Sequence, residues 1–347
     1  MGSGCPPPTR RDGPGPGGVR LRRSGAGTLR SSAASRADQG GPRRRVPAVA
    51  LGLLIDAAVG EPPASAHPVA SFGTAMATLE GHTYRDSVTA GAVHLSGGLV
   101  LACLAAVGSR HLLGATASTA GAVALCSAGR MLDREALAVA ARLEAGDLDG
   151  ARTRVAGLVG RDTTALGAGE VARATIESVA ENHVDAVVAT MVWAALGGAA
   201  GAWVHRAVNT LDAMVGHRND RYLHFGRVPA RVDDAINYLP ARLAALSVVL
   251  VRPTRAGRIV RSVKSGAGDH PSPNGGVIEA AFAAALGVTL GGTNVYGGTV
   301  ENRGTLGFGP APDAGDIRRA VGLRRRSTLT ALVLLASAEV AWTATRR

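Results

Sequence analysis

The sequence predicts an all-α fold: a polytopic integral membrane helical bundle with a helical cytoplasmic insertion and a disordered N-terminal tail. Three observations predict it. The 347 residues are 46% apolar, only 18% charged and 3% aromatic, and mean hydropathy is +0.14. Uncharged runs recur at the length of ~20 residues that a helix needs to cross a ~30 Å hydrocarbon core. Charge is also spread unevenly. Residues 1–45 hold ten Arg against Asp12 and Asp38, a net +8, while the rest carries 28 basic and 24 acidic groups. The formal charge of +12 is thus mostly a tail property, and no nucleic-acid partner is expected from it. Cys5, Cys103 and Cys126 form no CxxC pair, so no zinc knuckle, redox dithiol or disulfide framework is expected.

The tail, 1–45, contains ten Gly and six Pro and cannot bury enough apolar surface to offset chain entropy. Its Gly13-Pro14-Gly15-Pro16-Gly17-Gly18 matches G-x-G-x-x-G only formally, since no strand precedes it. It is not a clean secretory signal. The first apolar run starts at Val46, and Gly60-Glu61-Pro62-Pro63 follows instead of a small-residue cleavage site. The tail reads as a dispensable extension; the alternative is a basic arm that touches anionic lipid.

Residues 46–347 read as one membrane-embedded domain. Between 87 and 129 the one formal charge is Arg110, and Gly108-Ser109-Arg110-His111 supplies a turn, so two spans are predicted as a hairpin, about 88–107 and 111–128. A mixed-charge insertion of amphipathic helices follows at about 129–177, with helices at 133–145 and 147–159. Further spans are predicted over the charge-free 186–204, over 235–251 with Pro240 and Arg242 inside it, and over 327–345 with only Glu339. The run 46–59 is short and contains Asp56. The run 280–300 breaks into Gly291-Gly292-Thr293-Asn294 and Gly297-Gly298, so its second half is expected to be re-entrant or cavity-lining, because irregular backbone cannot face lipid. Abundant Gly and Ala suit close helix packing. The competing reading is a large soluble α-bundle. Arg43–Arg45, the acid-free 252–268 with four Arg and Lys264, and Arg324–Arg326 are expected on the cytoplasmic side.

Polar residues among these runs carry the functional argument. Glu177, Glu181 and Asp185 are four apart and share one helix face, with Asn182 beside them. Asn209 and Asp212 repeat an i, i+3 pattern. Arg218, Asp233, Asp234, Asn237 and Arg242 come next, then the rigid loop Asp269-His270-Pro271-Ser272-Pro273-Asn274, which leads to Glu279. Ionisable groups beside bilayer segments are costly unless paired, which makes them functional candidates. Each has a plainer reading: Asp233 and Asp234 as a helix cap, Glu177 and Glu181 as partners of Arg173, and His67, His94 and His111 as packing residues. Acid and amide groups without thiols suit a Mg²⁺–phosphate site or an amine-binding site. Lys264, the sole lysine, has no Walker A glycines, and no G-x-S-x-G or HExxH occurs. A transporter and an enzyme both satisfy this description.

Several blocks in order resemble the CobD/CbiB family of cobalamin biosynthesis, adenosylcobinamide-phosphate synthase. They are Leu54-Ile-Asp56-Ala-Ala-Val-Gly60-Glu61-Pro62-Pro63 with His67-Pro68-Val69; Val159-Gly160-Arg161-Asp162-Thr163; Ile176-Glu177-Ser-Val-Ala-Glu181-Asn182-His-Val-Asp185; Ala207-Val208-Asn209-Thr210-Leu211-Asp212-Ala-Met214-Val215-Gly216; Ala230-Arg231-Val-Asp233-Asp234-Ala-Ile-Asn237-Tyr-Leu-Pro240-Ala-Arg242; His270-Pro271-Ser272-Pro273-Asn274; and Asn294-Val-Tyr296-Gly297-Gly298. The likeness covers about 46–340. It departs at Ala213, where family members often have Ser, and at Arg218, near which they often have Lys.

The resemblance implies a carbon–nitrogen ligase of the cell membrane, multi-pass, its site facing the cytoplasm. It would join the free propionate of adenosylcobyric acid, a corrinoid, to (R)-1-amino-2-propanol or its O-phosphate. ATP and Mg²⁺ are expected from the chemistry, with no bound prosthetic group. The catalytic set would be Glu177, Glu181, Asp185, Asp212, Asp234 and His270, the last as a base. Asp233 and Asp234 would hold Mg²⁺. Arg218 and Arg242 would bind phosphate, and Asn182, Asn209 and Asn274 would orient corrin amides, with Asn237 and Ser272 also binding substrate. Partners would be those substrates, the lipid bilayer and other corrinoid-pathway enzymes. Alternatives are a transporter of a corrinoid or amine, or a scaffold for later corrinoid enzymes.

Overall fold

The computed structural model describes residues 45–217, 219–296 and 299–346. The tail before Arg45, Arg218 and Gly297-Gly298 therefore lie outside the described residues. Residues 44–347 form one compact unit. It is helical, as the sequence predicts, with one β-hairpin added.

Helix starts follow from side chains that accept otherwise orphaned amides. Pro47 opens α1 (Val46–Val59) and Pro68 opens α2 (Pro68–Thr83), where His67 Nδ1 accepts the Val69 amide at 3.1 Å. Ser87 caps α3 (Val88–Cys126) through the Ala90 amide, 3.2 Å. The expected insertion helices appear as α4 (Gly129–Glu144) and α5 (Leu148–Ala156), the latter capped by Asp147 on the Gly150 amide at 2.8 Å.

The predicted hairpin is present, but its turn is displaced. Gly114 has φ 76°, ψ 173° inside α3, backbone that a side chain would resist. Both arms meet the same neighbour, α8 (Ala199–Val215) and the glycine before it: Gly98 abuts Leu211, and Thr119 abuts Gly198. A straight helix would carry residue 119 about 31 Å past residue 98, while Leu211 and Gly198 are only about 20 Å apart along α8. The chain therefore folds back at Gly114, and Gly108 stays helical. The second arm, 115–126, is about 18 Å long and too short to cross a bilayer alone. The prediction of two full spans is corrected to one long arm and one half-length arm.

The predicted span 186–204 is corrected as well. Helix α6 (Ala168–Asn182) passes through a π-turn (His183–Val188) into α7 (Ala189–Gly197), and Gly198 at φ 64° ends it before α8 begins. Further along come α9 (Arg227–Val251), α10 (Ala256–Gly266) and α11 (Gly275–Leu286). The irregular stretch expected after residue 287 is an antiparallel hairpin, β1 (Thr289–Tyr296) with β2 (Thr299–Gly307), its register shifting between Gly291 and Thr293. Last is α12 (Ala314–Ala344), opened by a reciprocal Asp313–Asp316 capping box.

Among the described residues, three helical stretches are long and apolar enough to cross a membrane: one beginning at Val88, Arg227–Val251 and Ala314–Ala344. Each shows an apolar outer stripe, including Leu101, Leu104 and Val107 on α3, Leu239, Leu246 and Leu250 on α9, and Leu329, Val333 and Val340 on α12. The interior is filled by small residues. Among them α11 is buried from Gly276 to Leu286. One buried cluster of charges is paired: Arg324 donates two bonds to Asp133, 2.6 and 2.7 Å, and Arg325 adds a third at 2.7 Å. Asp56 accepts the Gly129 amide at 3.1 Å and so joins α1 to the start of α4.

Close packing makes a prediction. A Cβ on Gly52 would fall 2.5 Å from the Ala120 carbonyl oxygen and 2.6 Å from Val123 Cβ, whereas one on Gly121 meets nothing within 4 Å. Gly52→Ala should destabilise the detergent-solubilised protein by about 1–3 kcal/mol, read as a lower thermal midpoint, and Gly121→Ala should not. Equal midpoints would mean that α1 does not pack against the short arm.

Candidate active site

Four elements deliver polar side chains to one region: the end of α6 with its π-turn, the end of α8, the start of α9, and the loop into α11. The π-turn matters locally. One extra residue per turn widens the helix where it carries Asp185, within the electrostatic reach of Asp233, Glu181 and Asp212. Asp212 in turn feels Asp234. Burial first, and these neighbouring carboxylates second, hold Asp185 well above the ordinary carboxylate range and push Asp212 up to about 6.

Asp233 is buried and held by amides. Asn237 Nδ2 donates to it at 3.0 Å and Asn209 Nδ2 at 3.5 Å. Asn237 Oδ1 faces His205 Nε2 at 2.9 Å, so that ring nitrogen carries the proton. Arg206 Nη1 donates to Asn209 Oδ1 at 3.3 Å and closes the chain. Polar groups are thus linked from α8 to α9.

The loop 270–274 is fixed by its own side chains. Both the amide and the carbonyl of Ser272 lie 3.1 Å from His270 Nδ1. Ser272 Oγ accepts the amides of Asn274 and Gly275, each at 3.2 Å, and so caps α11. Asn274 Nδ2 donates to the Asp234 carbonyl at 2.8 Å, and Arg242 donates to Asn274 Oδ1 at 2.7 Å and to the Pro273 carbonyl at 3.1 Å while stacked 3.6 Å over Tyr238. Two prolines and these bonds aim the other imidazole nitrogen. His270 Nε2 lies 3.3 Å from Glu279 Oε1 and 3.9 Å from Glu181 Oε1, and one donor atom from each residue falls within 4.8 Å of the others. This set has the size of a divalent-cation site. If His270 Nδ1 donates to the Ser272 carbonyl, Nε2 presents its lone pair inward.

A cavity of about 870 Å³ opens beside this group. Asp234, Arg242 and His270 line it, together with His217, Arg227 and Arg231. The structure therefore brings together Glu181, Asp185, Asp212, Asp233, Asp234, Asn209, Asn237, Arg242, His270, Ser272 and Asn274. Two predicted residues are turned elsewhere. Glu177 is fully buried in an ion pair with Arg161 and accepts the Gly291 amide at 2.8 Å, which pins the base of the β-hairpin. Asn182 Nδ2 folds back onto its own helix, 3.0 Å from the Ser178 carbonyl. Arg218 lies outside the described residues. Sequence reasoning assigned no role to Glu279, Arg206 or His205. The signal for Glu279 was available: a lone acid in the otherwise apolar Gly275–Leu286.

The CobD/Cbib protein profile matches residues 49–324. The chain belongs to the CobD/Cbib family. Among its relatives are proteins called cobalamin biosynthesis protein CobD. That of Mycobacterium tuberculosis is 43% identical over 298 residues, 84% of this chain and 94% of its own length. That of Chromobacterium violaceum is 42% identical over 83% of this chain and 95% of its own length, and that of Rhodobacter capsulatus 38% over 85% and 96%. No solved structure matches. Blocks from α9 and the 270–274 loop line the cavity, the α8 block reaches it at Gly216, and the α6 block approaches His270 through Glu181.

Two predictions follow from the geometry. Glu177→Gln removes the carboxylate on which both Arg161 and the Gly291 amide rely, and should cost about 3–5 kcal/mol. Glu181→Gln, at a half-buried position, should cost clearly less; equal losses would erase the distinction. The second concerns protons. A folded-state pKa of about 6 for Asp212, against an ordinary 3.8, means that the folded protein keeps a proton the unfolded chain releases. Asp212 therefore adds stability as pH falls from 7 to 5, while His183 and His205, held by burial well below the ordinary imidazole range, remove stability over the same window. Measured on cation-free protein, the stability at pH 5 relative to pH 7 should be lower in Asp212→Asn than in the unaltered protein. Asp147 and Asp162, held low by the amides of Gly150 and Thr164, titrate beneath this window.

Proposed function

We propose that this protein works in cobalamin biosynthesis as an acid–amine ligase of the cell membrane. It joins the free propionate of adenosylcobyric acid to (R)-1-amino-2-propanol or its O-phosphate and yields adenosylcobinamide or its phosphate. The observation that carries this reading is the convergence of Asp234, Arg242 and His270 on one wall of the cavity, with Glu181, Asp185, Asp212 and Glu279 close behind. Membership of a family whose relatives are named for this pathway supports the substrate class.

Amide formation from a carboxylate in water is uphill, so ATP supplies the driving force. A propionate oxygen takes the γ-phosphoryl group, giving an acyl phosphate and ADP. The amine nitrogen then attacks the carbonyl carbon, phosphate leaves with the C–O electron pair, and the nitrogen sheds one proton. Asp234, at the cavity wall, is placed to take that proton; His270, whose Nδ1 is engaged by Ser272, has only Nε2 to offer and is better placed to hold a cation. Arg227, Arg231 and Arg242 supply cationic surface for phosphate oxygens, although Arg242 also braces the loop. Glu181, Glu279 and His270 fit a divalent cation better than Asp233, whose oxygens already accept two amides. When bound, such an ion would draw charge from phosphate oxygens.

A site facing the cytoplasm is supported by α10. It exposes Arg258, Arg261 and Lys264 and leads directly into Ala267, Gly268 and His270 of the cavity wall.

The test uses full-length protein in detergent with adenosylcobyric acid, aminopropanol or its phosphate, ATP and Mg²⁺, and detects the amide by mass. Asp234→Asn should lower turnover at least 100-fold with an unchanged thermal midpoint. Near-normal turnover would sink the role of Asp234. No product from the unaltered protein, with compartment-dependent uptake instead, would favour a transporter, and full tolerance of acid substitutions a scaffold.

A further inference from the structure

A second pocket, about 290 Å³, lies away from the cavity, between the C-terminal end of α9 and the first turns of α12. Its walls include Val251, Arg252, Arg318, Arg319, Leu323 and Arg326, four guanidinium groups and no carboxylate. Two of the four are committed. Arg318 holds Glu144 with bonds of 2.7 and 2.6 Å, and Arg319 donates to Asp316 and to the Leu286 carbonyl at the end of α11. Arg252 and Arg326 have no acid partner among the described residues. Arg252 Nε is buried and meets no acceptor there, and its guanidinium lies in the field of Arg326, Arg255 and Arg319. Cations gathered around so small a space repel one another unless an anion sits between them.

The height of the pocket selects the anion. Val251 is the last residue of α9, whose outer apolar stripe ends at Leu250. Arg326 stands just before the apolar half of α12, where Leu329, Val333 and Val340 face outward. Both stripes thus stop beside the guanidinium groups, the level at which headgroups meet a hydrocarbon core. From Arg252 to Gly268 the chain has no acid, and α10 exposes three cations. A planar guanidinium grips a phosphate through two parallel bonds.

We propose that Arg252 and Arg326, braced by Arg319, form a binding site for the phosphate of an anionic phospholipid headgroup. Inorganic phosphate shares the chemistry, but the position at the end of two apolar stripes favours the lipid. The site is independent of the ligase reaction.

The experiment measures the thermal midpoint of the full-length protein in neutral detergent, with short-chain phosphatidylglycerol, short-chain phosphatidylcholine or inorganic phosphate added. Phosphatidylglycerol should raise the midpoint by several degrees above the other two additions. Arg326→Gln, at an exposed position, should at least halve that rise. Arg252→Gln/Arg326→Gln should abolish it, and Arg258→Gln on α10 should preserve it. An equal rise with inorganic phosphate, a rise retained by the double variant, or a loss as large in Arg258→Gln would each overturn the assignment. Should the double variant fail to fold, Arg326→Gln against Arg258→Gln decides alone.

Discussion

Charge placed inside a body of Ala, Val and Gly must be answered within the body, and that constraint organises this protein. An isolated buried ion costs several kcal/mol, whereas a paired one can be held. Asp133 answers Arg324 and Arg325, and so ties α4 to α12 across nearly 200 residues of sequence. Glu177 answers Arg161 and the Gly291 amide, tying the α5–α6 loop, α6 and the hairpin into one joint. Asp56 does the same for α1 and α4. Among the described residues, a further group of acids gathers beside the cavity: Glu181, Asp185, Asp212, Asp234 and Glu279.

That difference separates scaffold from chemistry. The tying acids are met by guanidinium groups or by backbone amides in fixed directions. The converging acids lie within electrostatic reach of one another, and carboxylates so placed favour a shared proton or a cation. His270 is held in this company by backbone bonds to Ser272, so its placement follows from a five-residue loop with two prolines rather than from distant packing.

Much of this was legible in the sequence, for identifiable reasons. Long uncharged runs report burial in apolar surroundings whatever the topology, so the helical class and most helix positions emerged directly. The site emerged because acids and amides recur at helical spacing beside those runs. Details set by single residues did not. Gly108 and Gly114 look equivalent as turn formers, and only packing of both α3 arms on α8 selects the second. The run 186–204 carries nothing to announce that Gly198 breaks it. Glu177 and Glu181 share a face by spacing, but Arg161, sixteen residues earlier, claims one of them. The β-hairpin was masked by glycines, which suggested irregular backbone where strands form.

The tight apposition of backbones has an evolutionary side. A methyl group on Gly91 would lie 1.8 Å from the Phe225 carbonyl oxygen, and one on Gly201 1.9 Å from that of Trp193. Such positions admit no larger residue, whatever its polarity. The outer Leu and Val stripes meet no comparable neighbour and can exchange among aliphatic types. Divergence in this lineage should therefore run outside-in: a variable greasy coat, drifting with the membranes it inhabits, over an interior frozen at its smallest residues.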